Sequence, residues 1–337
     1  MNQPLIITMG DPTGVGPELI IKTLLTGAFD SLPRPPVIAG DVGVLRRAAR
    51  LFGVTARLEA LVSDGLGTHR LYVGDRQLAV HPLSVLDAEE LRYGAPDAAC
   101  GRAMLDYVTW SCDRCREGVA AGMVTAPISK AAIHQAGCRF PGHTELLAER
   151  CGVAKVVMML GGDRLRVCLV TTHLALREVP AALNQEKIFD TVWITDSALR
   201  RHFSIARPRL AVLGLNPHSG EGGLFGDEEA RQIAPAVAAA QALGIDASGP
   251  HSADTLFHFA VQGHYDAVIA MYHDQGLGPL KLLHFEDAVN VTLGLPIVRT
   301  SVDHGTAYDL AGTGKASERS LVAAVRIAEQ MTMTKKP

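Results

Sequence analysis

The chain has 337 residues, 47% hydrophobic and 20% charged with no low-complexity tract, the composition of a globular protein long enough for two lobes. Its formal net charge is −3 and the basic residues are scattered, so it carries no electrostatic footprint of nucleic-acid binding. The longest apolar runs, such as 153–160 and 210–215, are of strand length, far short of the roughly 18–20 residues of a membrane span, and residues 1–10 enter a strand-like run with no basic stretch or cleavage site, so a cytoplasmic protein is expected.

Taken in chain order, short β-branched runs alternate with helical stretches. A strand at 5–9 leads through Gly10-Asp11-Pro12-Thr13-Gly14-Val15-Gly16-Pro17-Glu18 into a helix over 18–25, with Pro17 near its first position. A strand at 37–40 and a helix at 42–52 follow, and 102–116 reads as amphipathic through Met104, Leu105, Val108, Cys112 and Cys115. Next come a strand at 122–126, helices at 129–135 and 144–151, and strands at 156–160 and 166–172 joined by the hairpin signal Gly161-Gly162-Asp163. Helices at 185–203, 228–243 and 318–331 and strands at 209–215, 267–272 and 289–292 complete the pattern. The alternation predicts an α/β class with a mostly parallel central sheet and helices on its faces. No Pro/Ser/Gly-rich linker divides the chain, so two interleaved α/β/α lobes are expected: 1–130 plus 300–337, and 131–299, with the active site in the cleft between.

Six cysteines are spread through the chain: Cys100, Cys112, Cys115, Cys138, Cys151 and Cys168. Cys112 and Cys115 form a C-x-x-C, the pattern of a redox pair or half a zinc site, but no second pair stands at zinc-finger spacing. Two small side chains on a helix face is the preferred reading, and the cysteines receive no function.

Three histidines follow the carboxyl ends of buried-looking strands: His173 after 167–172, His218 after 211–215, and His273 after 268–272. Open α/β sheets place ligand-binding groups there, and three neutral imidazoles with an open position describe a catalytic metal site. Isolated strand-end histidines satisfied by backbone are the alternative. Asp274, beside His273, and Asp254 are candidates to supply charge or orient such ligands, with helix capping as the competing role.

An anion site is suggested by Pro141-Gly142-His143-Thr144-Glu145 ahead of a periodic helix, where Thr144 fits an N-cap and the helix start offers free N–H groups. Lys281, Asn290 and Arg299 flank apolar segments and suit a phosphate or carboxylate clamp, although solvated surface charge is the plainer reading of the two cations. The segment 10–18 is not G-x-G-x-x-G and lacks the Gly-Lys-Ser/Thr of a P-loop. The polar, glycine-rich stretch Asp303-His304-Gly305-Thr306-Ala307-Tyr308-Asp309-Leu310-Ala311-Gly312-Thr313-Gly314-Lys315 matches neither pattern, and by physics alone both segments read equally as structural turns.

Together these two segments resemble the frame of the isocitrate/isopropylmalate dehydrogenase fold, which binds NAD(P) without a Rossmann domain. Val124-Thr125-Ala126-Pro127, Pro141-Gly142-His143-Thr144-Glu145, Thr172-His173, Leu215-Asn216-Pro217-His218-Ser219-Gly220-Glu221-Gly222-Gly223, Met271-Tyr272-His273-Asp274-Gln275-Gly276 and Leu293-Gly294-Leu295-Pro296-Ile297-Val298-Arg299-Thr300-Ser301 resemble the 4-hydroxythreonine-4-phosphate dehydrogenase family of vitamin B6 biosynthesis. The match runs from the first strand to the last helix. Thr13, where a small residue such as alanine is common, and Ser219 are mild departures.

The resemblance implies that His173, His218 and His273 bind a divalent cation (zinc, or magnesium, cobalt or manganese) at a site shared between two subunits of a homodimer. It implies that His143, Thr144, Lys281, Asn290 and Arg299 hold the substrate, largely by its phosphate. It suggests that the 303–314 loop, through Asp303, His304, Gly305 and Gly312, lies against the adenosine part of NAD or NADP. Asp254, Asp274 and Lys130 are the candidates for catalytic roles in proton handling or metal support. The expected reaction is metal-dependent oxidation of 4-phosphohydroxy-L-threonine to 2-amino-3-oxo-4-phosphooxybutanoate, which decarboxylates to 3-amino-2-oxopropyl phosphate. Relatives that act on cis-dihydrodiols of aromatic dicarboxylates or on four-carbon phosphorylated sugar acids supply the alternative substrates, and a metal- or anion-binding protein without catalysis is the non-enzymatic alternative.

Overall fold

The computed structural model describes residues 3–33, 35–61 and 66–333. In chain order the elements begin β1 (Leu5–Thr8), α1 (Gly16–Leu25), β2 (Val37–Gly40), α2 (Val42–Arg50), β3 (Ala56–Ala60), β4 (His69–Val73), β5 (Arg76–Pro82), α3 (Ala98–Arg116), β6 (Gly122–Thr125), α4 (Lys130–Gln135) and α5 (His143–Cys151). They continue β7 (Val157–Gly161), β8 (Arg166–Leu169), α6 (Val179–Ala182), α7 (Gln185–Phe203), β9 (Leu210–Leu213), α8 (Ala234–Ala242), β10 (Ala247–His251), α9 (Ala253–Ala260), β11 (Ala267–Ala270), α10 (His273–Leu283) and β12 (Val289–Leu293). β13 (Arg299–Val302) and α11 (Arg319–Met333) close the chain. The mostly parallel α/β class expected from the alternation is the one that forms. No helix among the described residues is long and apolar enough to cross a membrane.

The chain divides into two compact units. One comprises Met1–Val153 and Leu295–Thr332, and the other is built on Ala154–Gly294. The divisions thus fall near residues 153 and 295, where the sequence reading set them near 130 and 300.

In the first unit the strand order is β13-β6-β1-β2-β5-β4-β3. β13, β6, β1, β2 and β5 run parallel, and β4 and β3 add an antiparallel meander. Every residue of β1, β2, β6 and β13 is buried. Strands covered on both faces carry near-continuous apolar runs, which is why β1 and β2 show no alternation, whereas β13 buries the polar Arg299, Thr300 and Ser301. β4 and β5 instead alternate, burying Leu71 and Val73, then Leu78 and Val80. Gly74 (φ 62°) and Asp75 make the two-residue turn between them, since Val73 pairs with Arg76. Asp41 caps α2, its carboxylate accepting from Val44 N at 3.1 Å, and Asp97 caps α3 through Cys100 N at 2.8 Å.

In the second unit the order is β10-β9-β11-β8-β7-β12. β10, β9, β11 and β8 are parallel, and β7 is antiparallel to both β8 and β12. The hairpin read at 161–163 is present, with Gly162 N–H donating to Leu165 O at 3.0 Å. α7 packs on β7, β8, β11 and β12. It starts where the Asn184 side chain accepts from Lys187 N and ends at left-handed Ser204. Leu160, Val167, Leu169, Leu213, Val268 and Leu280 belong to one buried cluster. Because β8, β11 and β9 are adjacent and parallel, their carboxyl ends open on the same edge of the sheet.

Candidate functional site

That edge carries the three predicted histidines. Beyond β8 and β11 the chains stay in register: Val170 N donates to Ala270 O (2.9 Å), and Thr171 donates to Met271 O through both its N–H (3.2 Å) and its hydroxyl (2.7 Å). This registration delivers His173 and His273 side by side, ring centroids 5.8 Å apart. His273 is the first residue of α10, and its Nδ1 lies 2.8 Å from the exposed carboxylate of Asp274. A carboxylate on Nδ1 turns Nε2 outward as a ligating atom. Two adjacent imidazoles, one so oriented, fit a divalent cation as two of its donors. Among the described residues no group of three His, Cys, Asp or Glu side chains gathers closely enough to hold an ion. The His218 ring lies 6.4 Å from that of Phe225.

The loop carrying His218 is built against the usual backbone preference. Residues 218–222 all lie in the left-handed region, with φ of 51°, 52°, 81°, 43° and 65°. Three of the five, His218, Ser219 and Glu221, are not glycine, and each such residue costs roughly 1–2 kcal/mol. Buried Glu229 offsets that strain, its carboxylate accepting from Leu215 N (2.8 Å), Asn216 N (2.7 Å) and Asn216 Nδ2 (3.0 Å). Burial alone would raise its pKa, but the Asn216 and Leu215 donors hold the carboxyl below its ordinary value. Gln275 adds a second tie, accepting from Met271 N (2.7 Å) and donating to Gly214 O (2.6 Å), so the ends of β11 and β9 are fixed to each other. Neither Glu229 nor Gln275 was singled out from sequence. Both bond to backbone groups exposed only by the fold, although Gln275 lies inside the motif that contains His273.

Asp254 lies exposed in the first turn of α9, which packs against the His218 loop. Ser252 occupies the N-cap position, so the capping alternative for Asp254 is corrected to a first-turn position, where a carboxylate suits the helix dipole.

The anion residues of the first unit come together at the head of α5. Thr144 is not the cap. Gly142, in extended backbone, takes that place, the helix starts at His143, and Thr144 is half-buried in the first turn. Arg299 begins β13 and is only 3% exposed, which overturns the reading of a solvated surface charge. One of its terminal nitrogens donates to Thr125 Oγ1 at 2.7 Å, a bond that the register Thr300↔Val124 and Ser301↔Thr125 sets up. Burial pushes the guanidinium down to about 10, against the attraction of Glu145 in α5, and it stays charged at neutral pH. His143 is held well below its ordinary value, first by burial and then by the Arg299 charge, so it is neutral. Its Nε2 is shut from solvent and lacks a hydrogen-bond partner among the described residues. Exposed Lys130 stands at the start of α4, and a Cβ on Gly142 would sit 3.8 Å from its Cε. A buried cation, a neutral imidazole short of a partner and free helix N–H groups make a phosphate or carboxylate cradle.

In the second unit, Lys281 lies near the end of α10 with Nζ 5.6 Å from the Phe285 ring, half-buried rather than fully solvated. Asn290 is on β12 opposite Leu160, its Oδ1 buried without a partner among the described residues.

The two glycine-rich segments of the first unit lock together. Tyr308 donates to Asp11 Oδ2 (2.7 Å), Val15 N to Thr306 O (3.1 Å), and Gly312 N to Glu18 Oε2 (3.1 Å). Asp303 N is held by Ser320 Oγ, and His304 Nδ1 lies 2.9 Å from Gly305 O. Gly312 (φ +81°) is required here, because a Cβ would fall 2.4 Å from the Tyr93 ring, which itself lies under Arg47 at 3.7 Å. The unusual Thr13 is absorbed into this joint, its hydroxyl donating to Asp11 Oδ1 at 2.8 Å.

A family model described as pyridoxal phosphate biosynthetic protein PdxA matches residues 32–328. The chain belongs to this family. A 4-hydroxythreonine-4-phosphate dehydrogenase of Geobacter metallireducens is 56% identical over 331 residues, covering 98% of this chain and 96% of the relative. Among solved structures, a 4-hydroxythreonine-4-phosphate dehydrogenase from Klebsiella pneumoniae superposes with TM-score 0.84 at 42% identity, covering 98% of each chain. A terephthalate 1,2-cis-dihydrodiol dehydrogenase from Burkholderia xenovorans stands further off, with TM-score 0.66 and 30% identity over 97% of this chain and 98% of that one.

Proposed function

We propose that this PdxA-family chain is an oxidoreductase that uses a nicotinamide cofactor to oxidise 4-phosphohydroxy-L-threonine. The product is 2-amino-3-oxo-4-phosphooxybutanoate, a β-keto acid that loses carbon dioxide to give 3-amino-2-oxopropyl phosphate for pyridoxal phosphate biosynthesis. The observation that carries the reading is buried Arg299 beside neutral His143 at the head of α5. A charge kept from water next to open helix N–H groups suits a doubly charged phosphate better than the singly charged carboxylate of a dihydrodiol.

Arg299, in the first unit, supplies charge to the phosphate. His143 Nε2, the Thr144 hydroxyl and the first-turn N–H groups of α5 supply directed hydrogen bonds, and Lys130 adds a further cation at the helix head; in the second unit Lys281 and the Asn290 amide are the candidate anion donors. This grip fixes which carbon faces the cofactor. A divalent cation, zinc or one of magnesium, cobalt and manganese, held by His173, His218 and His273 would supply Lewis acidity, and NAD or NADP the hydride acceptor. Asp274 is the positioning residue for His273. Asp254, at the head of the helix beside the His218 loop, takes the hydroxyl proton. The metal site is completed in a homodimer, a reading supported by the fact that the described residues of one chain pair only two of the three histidines. The 303–314 loop, with Asp303, His304, Gly305 and Gly312, receives the adenosine end of the cofactor.

The test is turnover by purified protein with NAD or NADP and a divalent cation, followed as reduced cofactor with and without chelator. Chelator-sensitive oxidation of 4-phosphohydroxy-L-threonine is expected. Oxidation of a terephthalate cis-dihydrodiol or a four-carbon phosphorylated sugar acid in its place would overturn the substrate assignment.

A further inference from the structure

Cysteines that the C-x-x-C spacing left without a role gather where α3 meets α5. Cys112, in the last turns of α3, places its Sγ 3.7 Å from Sγ of Cys151, the last residue of α5, 39 positions away in the sequence. The sulfurs are in van der Waals contact, with roughly 1.7 Å to close before reaching the length of a disulfide. The crossing is held firmly at this point. Arg150, next to Cys151, pairs with Asp113, next to Cys112, its Nε 2.7 Å from Oδ1. Cys112 is sealed from solvent and Cys151 is half-open, so an oxidant reaches one sulfur of the pair first. The Cys112 hydrogen bond, with help from the Arg116 and Arg150 charges, holds the Cys151 thiol below its ordinary value, while donation to Cys151 and burial push Cys112 up. Cys151 is therefore the nucleophile and Cys112 the resolving thiol.

We propose that Cys112 and Cys151 form an oxidisable dithiol that a peroxide converts to a disulfide, a reversible modification site tying α5 to α3. The Cys151 thiolate attacks one peroxide oxygen and the O–O bond breaks. The other oxygen leaves as hydroxide or alkoxide, is protonated, and Cys151 becomes a sulfenic acid. Cys112 then attacks the sulfenic sulfur. The S–O bond breaks, the S–S bond forms and water leaves with the Cys112 proton. Two electrons pass from the two thiols to the peroxide, and a dithiol reductant reverses the change. The tether acts on the helix whose first turn carries His143 and Thr144, and it needs no assumption about the reaction catalysed.

The experiment uses the full chain, reduced and then treated with hydrogen peroxide, with the peroxide removed and remaining thiols alkylated in denaturant, so that buried Cys112 is reached, before peptide mass spectrometry. The expected result is a cross-linked Cys112–Cys151 peptide, loss of both alkylations together, and recovery of both with dithiothreitol. Cys151→Ser should leave Cys112 fully alkylated. Cys112→Ser should leave Cys151 as a sulfenic acid that dimedone captures, with circular dichroism of both variants matching the parent. Cys112 and Cys151 both remaining alkylated in the treated parent would overturn the proposal. So would cross-linking through Cys115 or another thiol, or loss of Cys112 alkylation in folded Cys151→Ser protein.

Discussion

Glu229 is the clearest place to test whether the His218 loop is a built feature. The perturbation is Glu229→Gln, which keeps shape and size but exchanges one acceptor oxygen for an NH2 that faces the Asn216 amide donor. The bond to Asn216 Nδ2, now 3.0 Å, is lost, and the bonds from Leu215 N and Asn216 N, at 2.8 and 2.7 Å, fall from charge-assisted to neutral. With about 1.5–3 kcal/mol for a hydrogen bond to a charged group and about 1 for a neutral one, the change removes roughly 3–5 kcal/mol. That is comparable to the strain of three non-glycine left-handed residues, so the loop should open locally while the β9 and β11 core stays shut. Hydrogen exchange reads this directly: protection of the Leu215 and Asn216 amides should fall roughly 150- to 5,000-fold, with β11 unchanged. The sign with pH follows from the depressed carboxyl. A folded pKa below the unfolded value gives stability that is present above the unfolded value and lost as pH falls through the folded one. Loop protection in the parent, corrected for intrinsic exchange, should therefore drop on acidification below the ordinary carboxylate range and be flat in Glu229→Gln. Equal protection in the two proteins would refute the assignment of Glu229 as the latch.

Arg299→Met should lower kcat/KM by roughly 100- to 1,000-fold through loss of charge-assisted bonds to the anion, without loss of fold, because a buried charge leaves with it; a change under threefold would count against the phosphate site. Asp274→Asn should weaken zinc binding roughly 10- to 100-fold, measured by equilibrium dialysis against matched circular dichroism, and unchanged affinity would remove Asp274 as the residue that sets His273. Gly312→Ala combines a left-handed φ of +81° with a Cβ 2.4 Å from the Tyr93 ring and should cost roughly 2–5 kcal/mol in urea unfolding. A normal unfolding midpoint there would mean that the loop does not seat on Tyr93.

What was legible in the sequence follows from physical range. β8, β9 and β11 were visible because buried parallel strands are unbroken apolar runs, and His173, His218 and His273 were visible because each stands just past one. β3, β4 and β5 went unread because their alternation is diluted by Arg57, Glu59, Arg70 and Arg76, although Gly74-Asp75 marks their turn. Thr144 was misplaced by two positions because a threonine before a periodic run is a stronger local cap signal than the glycine that takes the place. Arg299 read as a candidate clamp residue but more plainly as surface charge, since a side chain 3% exposed cannot be inferred from neighbours along the chain. Glu229, Gln275 and the Cys112–Cys151 contact were beyond reach because their partners are backbone groups and a sulfur that only tertiary folding delivers.

The central claim is that a phosphate grip at Arg299 and His143 serves oxidation of the substrate's hydroxyl. It is tested most directly by comparing 4-phosphohydroxy-L-threonine with unphosphorylated 4-hydroxy-L-threonine under the same cofactor and divalent cation. The account predicts that kcat/KM for the phosphorylated substrate exceeds that for the other by roughly 1,000-fold or more, the contribution of two to three charge-assisted bonds. Equal kcat/KM for the two substrates would contradict it.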